Sequence, residues 1–424
     1  MGLVIGKEHI ELIERIAQRE RAPMYLVGTT SDDQRFYFHD NQNQKVIDLE
    51  IKDFFGNSPK TVMTDTTIAQ SFPEIEYDDK QISTYLNNVL RLEGVACKDW
   101  LTNKVDRSVT GKIARQQTCG TVQLPLCDLG AVAIDFRGER GIATSIGHAS
   151  VPAMIDSEAG SRLSIAESLT NLVWAPIEQQ LAGVSLSANW MWPCKNEGED
   201  ARLYNAVSAT SEFACQLGIN IPTGKDSLSM TQKYPDGTKV LSPGTVIISA
   251  AGEVTDVKKI VTPALADDTD TELLYVDFSK CGFELGGSSF AQIRNAIGTK
   301  TPDVSDANYF AKAFNAIQNL IEKQLILAGH DVSDGGLITA LFEMMFPNNY
   351  IGLNVDLSVF EERDIMKILF SETPAVLIQV KGTNVLSVFT KAGIDTYRIP
   401  TITNQHKLPI TKGPQIHSFD VFEY

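Results

Sequence analysis

Gly329-His330-Asp331-Val332-Ser333-Asp334-Gly335-Gly336-Leu337 lies between the apolar run Leu325-Ile326-Leu327-Ala328 and the apolar Leu337-Ile338-Thr339-Ala340-Leu341-Phe342. The first run has the length of a buried strand and the second opens a helix, so the spacing predicts a strand-to-helix turn. Such turns aim backbone N–H groups at anions, and glycines let the backbone come close to a ligand. An imidazole, two carboxylates and a hydroxyl packed into this turn suit phosphate and metal chemistry. An Asx-turn followed by a helix cap uses the same residue types, because Asp, Ser and Gly are also common loop residues.

Outward from this turn, strands and helices alternate. Leu273–Phe278, Gly352–Leu357 and Ala375–Val380 read as strands, and Asn308–Lys323, Glu361–Phe370 and Val385–Ala392 as helices. The pattern predicts an α/β (α+β) layer over residues 266–424, preceded by a second α/β domain over 93–265. Residues 58–92 read as a polar linker followed by a helix with Ile82, Tyr85, Leu86, Val89 and Leu90 at helical spacing. The linker's acidic Glu74-Ile75-Glu76-Tyr77-Asp78-Asp79 reads as a solvated face. Residues 1–57 carry a helix-like run, Ile10–Glu20, and two strand-like runs, Met24–Gly28 and Arg35–His39. That is too little for an independent core, and the expectation is the tail of a preceding domain.

With 424 residues, 43% hydrophobic and 21% charged, the chain has the composition of an ordinary globular protein of two or three domains. Its apolar stretches are strand-sized and its N-terminus lacks a signal pattern, so the expected location is the cytoplasm, with no membrane span. A net charge of −16 disfavours nucleic acid and anionic membranes as partners. The six cysteines lack C-x-x-C spacing and predict neither a zinc site nor a disulfide framework. Cys119 and Cys194 have no evident base beside them and read as structural.

A second informative element is the helix predicted from Ser161 to about Trp174. Ile165, Ala166, Leu169, Leu172 and Val173 share one face, and Glu167 and Asn171 project from the opposite one. A carboxylate and an amide one turn apart can both give oxygen to a hard cation, and they can equally be an exposed polar pair on a helix back. Asp128 precedes a strand-like run at Gly130–Asp135 and reads as a turn residue or a ligand. Asp128, Glu167, Asn171 and Asp331 together would form an all-oxygen set suited to Mg2+.

Three further strings have the residue types for anion binding. Asp106-Arg107-Ser108-Val109-Thr110-Gly111-Lys112 offers Arg107 as a bidentate donor, or forms a salt-bridged loop. Gly224-Lys225-Asp226-Ser227-Leu228-Ser229-Met230 lacks Walker A spacing, yet as a loop it could hold a phosphate through Lys225 and Ser227. Gly282-Phe283-Glu284-Leu285-Gly286-Gly287-Ser288-Ser289 lacks dinucleotide spacing and is a weak signal that a packing turn explains as well.

Taken in order, Asp106–Gly111, Leu186-Ser187-Ala188-Asn189-Trp190-Met191, Gly198-Glu199-Asp200-Ala201, Gly224–Met230 and His330–Leu337 resemble the large form of the phosphoribosylformylglycinamidine synthases of purine biosynthesis. The resemblance runs from near Ile10 to the C-terminus. It implies an AIR synthetase-like A subdomain followed by a ferredoxin-like B subdomain, from the second half of a pseudo-dimeric synthase core. The activity implied is ATP-dependent amidation of formylglycinamide ribonucleotide with ammonia from glutamine. By similarity Asp128, Glu167, Asn171 and Asp331 match magnesium ligands around ATP or ADP, and Cys127 and Ser333 match positions that touch the nucleotide. In the large form this nucleotide is understood to be auxiliary.

The glutaminase domain and the first synthase half, with its glycine-rich ATP stretch and mobile His, are not found in this sequence. The resemblance therefore implies that this chain alone does not turn over, and that its uncovered pseudo-dimer face is apolar or pairs in a homodimer. Two other readings are a different ATP-dependent member of the superfamily, disfavoured by the Gly-Lys-Asp-Ser-Leu-Ser-Met string, and a non-catalytic nucleotide-binding scaffold.

Overall fold

The computed structural model describes residues 2–56, 62–102, 111–348, 350–382 and 384–424. Arg107 and its neighbours Asp106–Thr110 lie outside the described residues. Two units separate, Met1–Met63 and Thr64–Tyr424.

The first unit holds the helix Ile10–Arg19 and an antiparallel hairpin, Arg35–His39 with Lys45–Glu50, followed by the short helix Ile51–Phe55. Among its described residues none is fully buried, and Phe36 meets Phe54 at 5.3 Å between ring centres. The expected strand Met24–Gly28 does not form. Among the described residues it has no neighbour to complete a hydrogen-bond ladder, and Leu26 and Val27 stay exposed.

The second unit is organised by two sheets. The first orders its strands as Ile113–Arg115, Gly130–Ala133, Gly141–His148, Thr245–Val254, Val184–Met191 and Asn220–Ser227, antiparallel except for the last pair. Its inner face packs on the helix Ser157–Leu172, which is flanked by Glu199–Leu217. Strand Gly141–His148 alternates strictly between buried and exposed, so the outer face bears Ile142 and Ile146 beside Val132. The string Gly224–Ser227, expected as a loop, is the end of the edge strand Asn220–Ser227. There Gly224 lies so close to Ala188 O that a Cβ would come within 2.2 Å.

The second sheet contains strand–helix–strand–strand–helix–strand: Glu272–Asp277, Ala307–Glu322, Ile326–Val332, Ala375–Val380, Val385–Ala392, Thr396–Thr403. Its four core strands lie side by side as second, third, first, fourth, all antiparallel, which is the ferredoxin-like arrangement expected. Gly352–Asp356, Lys407–Lys412 and Gln415–Asp420 extend it at one edge. Alternate residues of the first strand enter separate cores. Leu274 and Val276 pack with the first sheet's helices, whereas Leu273 and Tyr275 pack with helices Ile82–Val89, Gly336–Met345 and Ile365–Phe370. With both faces covered, Ala375–Val380 is buried at every position, which explains a sequence that is apolar except for Gln379, whose amide donates to Ala266 O and Thr271 Oγ1.

The polar stretch before Ile82 does more than lie over the surface. Asp65 accepts hydrogen bonds from Gly198 N, Asp200 N and Ala201 N at 3.0–3.2 Å, capping the helix Glu199–Leu217. Ile75 and Tyr77 are half-buried against the second core, and the Tyr77 hydroxyl donates to Asp364.

Helix Ser157–Leu172 is buried nearly all round, not on one face as its periodicity predicts. It is wedged between the first sheet, helix Glu199–Leu217 and strand Ile326–Val332. Its approach to strand Gly141–His148 depends on Gly147, where a Cβ would stand 2.3 Å from Ser168 N and 2.4 Å from Ser164 O. Both obstructions are backbone and cannot swing aside. Gly147→Ala is expected to lower stability by about 1–3 kcal/mol, measured as a lower urea midpoint; an unchanged midpoint would show that the helix is not held at this separation.

Candidate functional site: a buried carboxylate cluster beside a cavity

The outermost strand of the second sheet, Ile326–Val332, carries His330 and Asp331 and pairs on one side with Ala375–Val380, Asp331 opposite Val376. These two residues belong to the strand itself, where the sequence predicted a turn. The turn is shorter, Ser333–Gly335, because the strand partner continues to Ala375 opposite Val332. Gly335 and Gly336 then take φ of +89° and +74°, and a Cβ on Gly336 would meet Leu369 O at 2.8 Å. Glycine is thus required to start the helix Gly336–Met345 here.

Asp128 reaches this strand from the first sheet, just before Gly130–Ala133. His330 Nδ1 stands 2.9 Å from Asp128 Oδ1 and 3.6 Å from Asp331 Oδ1, and His330 Nε2 stands 3.0 Å from Glu343 Oε2. The contact with Asp128 is an ion pair without the alignment of a hydrogen bond. One ligand atom from each of Asp128, His330 and Asp331 falls within 4.8 Å of the others, close enough to share a metal ion. Oδ2 of Asp128 and Oδ2 of Asp331 are buried without any hydrogen-bond partner. Unpartnered buried carboxylate oxygens are costly, and such a pair of atoms has the chemistry to accept a hard cation.

Beside this cluster lies a cavity of about 210 Å³, walled by Leu92 and Gly94, His148–Pro152, Glu167, Gly287–Ser289, Ser333–Asp334 and Glu372. Glu167 Oε2 accepts from His148 N at 3.0 Å, and Asn171 Nδ2 donates to Ile146 O at 3.0 Å. Both side chains therefore turn toward strand Gly141–His148 instead of outward. Glu372 accepts from Ser289 N and Gly335 N, each at 2.8 Å, tying the two glycine-containing turns together.

The sequence candidates are distributed as follows. Asp128 and Asp331 come together, Glu167 and Ser333 line the cavity, and Asn171 sits one turn beyond Glu167 on the same helix, bonded to Ile146 O. Cys127 is next to Asp128, and its thiol hydrogen-bonds Cys119. Lys225 and Ser227 do not reach the cavity. They are on the edge strand at the other side of the first sheet, bonded to each other. Asp334, Glu372 and Gly287–Ser289 were not singled out as site residues. Asp334 stands in the same string as Asp331 and Ser333, and Gly287-Ser288-Ser289 carries only a weak signal that a packing turn explains as well. For Glu372, in Ser371-Glu372-Thr373, no local pattern marks it out.

The electrostatics follow from crowding. Burial, then Asp128, pushes the Asp331 carboxyl up to about 8; burial, then Asp334, does the same for Glu372, also to about 8. Glu167 is raised well above the usual carboxylate range by burial and by Asp334. Burial alone would lower His330, but Asp128 and Glu343 outweigh it and hold the ring well above its ordinary value. The Cys127 hydrogen bond lowers Cys119, and the same bond together with burial raises Cys127.

Residues 97–253 match the FGAR-AT PurM_N-like domain, and residues 281–412 match the C-terminal domain of AIR synthase related proteins. The chain is thus an AIR synthetase-like two-domain protein with an α/β fold. Within that class it belongs with the phosphoribosylformylglycinamidine synthases. It is 37% identical over 404 residues to the probable phosphoribosylformylglycinamidine synthase, chloroplastic/mitochondrial, of Arabidopsis thaliana, covering 92% of this chain and 28% of that protein. The probable phosphoribosylformylglycinamidine synthase of Caenorhabditis elegans is 36% identical over 424 residues, covering 96% of this chain and 31% of that protein. The chain therefore spans less than a third of the length of these curated relatives.

Among solved structures, PurL of T. maritima complexed with FGAR superposes with a TM-score of 0.61 at 12% identity, covering 88% of this chain and 55% of that one. T. maritima PurL complexed with ADP gives 0.58 at 13% identity, over 88% and 53%. At such identities the likeness is one of fold. No helix among the described residues is long and apolar enough to cross a membrane.

The raised carboxyls set a pH dependence. Asp331 and Glu372 keep their protons in the folded chain up to about pH 8 and lose them near their ordinary values when unfolded. The folded state binds more protons in between, so this contribution to stability is full at acid pH and is lost as pH rises. In EDTA, the melting temperature should fall from about pH 5 to about pH 8; a flat profile would contradict the crowding.

Proposed function

We propose that this chain is the part of a phosphoribosylformylglycinamidine synthase that holds a magnesium-bound nucleotide in the cavity between its two sheets. The observation that carries the reading is the pair of unpartnered, buried carboxylate oxygens on Asp128 and Asp331, next to a cavity lined by further carboxylates. Asp128, Glu167, Asn171 and Asp331 would hold Mg2+ with ATP or ADP, and Cys127 and Ser333 would contact the nucleotide. When bound, Mg2+ would offset the charge of both the carboxylates and the phosphates, which lets a chain of net charge −16 accept an anion. Glu372 would keep the Ser289 and Gly335 turns in register, and Gly335–Gly336 would give a phosphate close access to the backbone.

In the whole protein the activity would be the ATP-dependent amidation of formylglycinamide ribonucleotide with ammonia from glutamine, in the cytoplasm or an organelle. The nucleotide in this half would be auxiliary, so the isolated chain would bind without turning over. A glutaminase domain and a first synthase half would be the partners supplying the rest. The first half, or a second copy of this chain, would cover the face that bears Val132, Ile142 and Ile146. The alternative of a nucleotide-stabilised scaffold agrees with this for the isolated chain and differs only for the parent.

Calorimetric titration of the chain with MgADP should show binding that disappears in EDTA. Asp331→Asn should weaken it by about 10-fold or more, as loss of a charged ligand does. Unchanged binding in that variant would reduce Asp331 to a strand residue. With formylglycinamide ribonucleotide, ammonia and MgATP present, no phosphate release by the chain alone is expected; turnover would refute the auxiliary role.

A further inference from the structure

Each of the four oxygen-bearing side chains at this site is held so that at least one of its polar atoms is already taken. Glu167 Oε2 accepts from His148 N. Asn171 gives its amide nitrogen to Ile146 O, which fixes the direction of its own oxygen. Asp331 is hydrogen-bonded by Ser333 and retains an unpartnered Oδ2. Asp128 differs from the others because its Oδ1 is the carboxylate oxygen closest to a ring nitrogen from another element, the same nitrogen standing 3.6 Å from Asp331 Oδ1. That nitrogen is His330 Nδ1, at 2.9 Å, and Glu343 holds the opposite ring nitrogen at 3.0 Å. The imidazole is therefore fixed between carboxylates at both ends, its side chain 7% exposed. This leaves Asp128 Oδ2 unpartnered and available.

The two common hard cations differ in what they ask of a carboxylate. Mg2+ takes six single oxygens in a near-octahedral shell, whereas Ca2+ takes more ligands and often both oxygens of one carboxylate. Resting on the metal reading above, we infer that His330 and Glu343 are a positioning pair: by occupying Asp128 Oδ1 they commit this carboxylate to single-oxygen coordination, and so bias the site toward Mg2+ over Ca2+. His330 acts through Asp128 and does not itself bind the ion. Partners that orient a metal ligand in this way typically change affinity by 10- to 100-fold when removed.

The test measures Mg2+ and Ca2+ binding to the full chain by calorimetry, each with saturating ADP. His330→Gln keeps an amide near the Nε2 position, facing Glu343, but removes the ring nitrogen paired with Asp128. It should reduce the Mg2+/Ca2+ affinity ratio by about 10-fold. His330→Asn places an amide near the Nδ1 position and should stay within about threefold of the parent ratio, rescuing the contact that matters. If the ring only fills space, both variants weaken both ions alike and the ratio is unchanged, which overturns the inference. Glu343→Gln, with its smaller change in a half-buried side chain, should shift the ratio in the same direction by less. It decides the matter if circular dichroism shows that His330→Gln does not fold. A parent chain that binds neither ion would defeat the metal reading and this inference together. A parent that binds Mg2+ but shows no change of ratio in His330→Gln defeats the inference alone.

Discussion

A carboxylate taken out of water must find positive charge or keep its proton. Between the two sheets Asp128, Glu167, Asp331, Asp334 and Glu372 gather within electrostatic reach of one another, with His330 the cation that balances them. Much of the surrounding architecture can be understood as what keeps these groups close despite their repulsion. Gly147 lets the helix bearing Glu167 settle onto its strand, Gly335–Gly336 allows a turn no other residue could make, and the ferredoxin-like sheet presents Asp331 from its outermost strand. Apolar burial on both sides of Glu272–Asp277 supplies the driving force that overcomes the electrostatic penalty.

Much of the fold could be read in advance because its elements are set locally. Ala375–Val380 and Val385–Ala392 match the sequence pattern residue for residue, since an apolar run interrupted only by Gln379, and a short apolar helix ending at Gly393, leave little else to form. The exceptions trace to distant partners. Met24–Gly28 has strand composition but, among the described residues, no neighbour to pair with. Gly224–Ser227 has loop composition but lies in register beside Ala188–Met191. Periodicity exposes Glu167 and Asn171 on the helix back, whereas packing on every side places them against Gly141–His148.

The site was legible in part for the same reason. Asp331, Ser333 and Asp334 announce themselves in one string, because a ligand near a strand end needs short polar residues and glycine together. Glu167 and Asn171 share one helix, but grouping them with Asp128 and Asp331 rested on their oxygen chemistry and the family resemblance, since nothing local brings separate elements to one place. Glu372 and Glu343 were invisible: each is one acidic residue in an ordinary context, and its significance arises only from what the fold sets beside it.

The cavity walls are drawn from segments between Leu92 and Glu372, spanning both sheets and the helices between them. No contiguous fragment of the unit encloses that space, so the cavity comes into being only when the most distant pairings have closed. Long-range closure is the slow part of folding for such topologies. A ligand that fills the cavity therefore recognises only completed chains and lowers their free energy relative to every partly assembled form. In that sense the nucleotide would serve as the last structural element of the fold, contributed from solution instead of from the sequence.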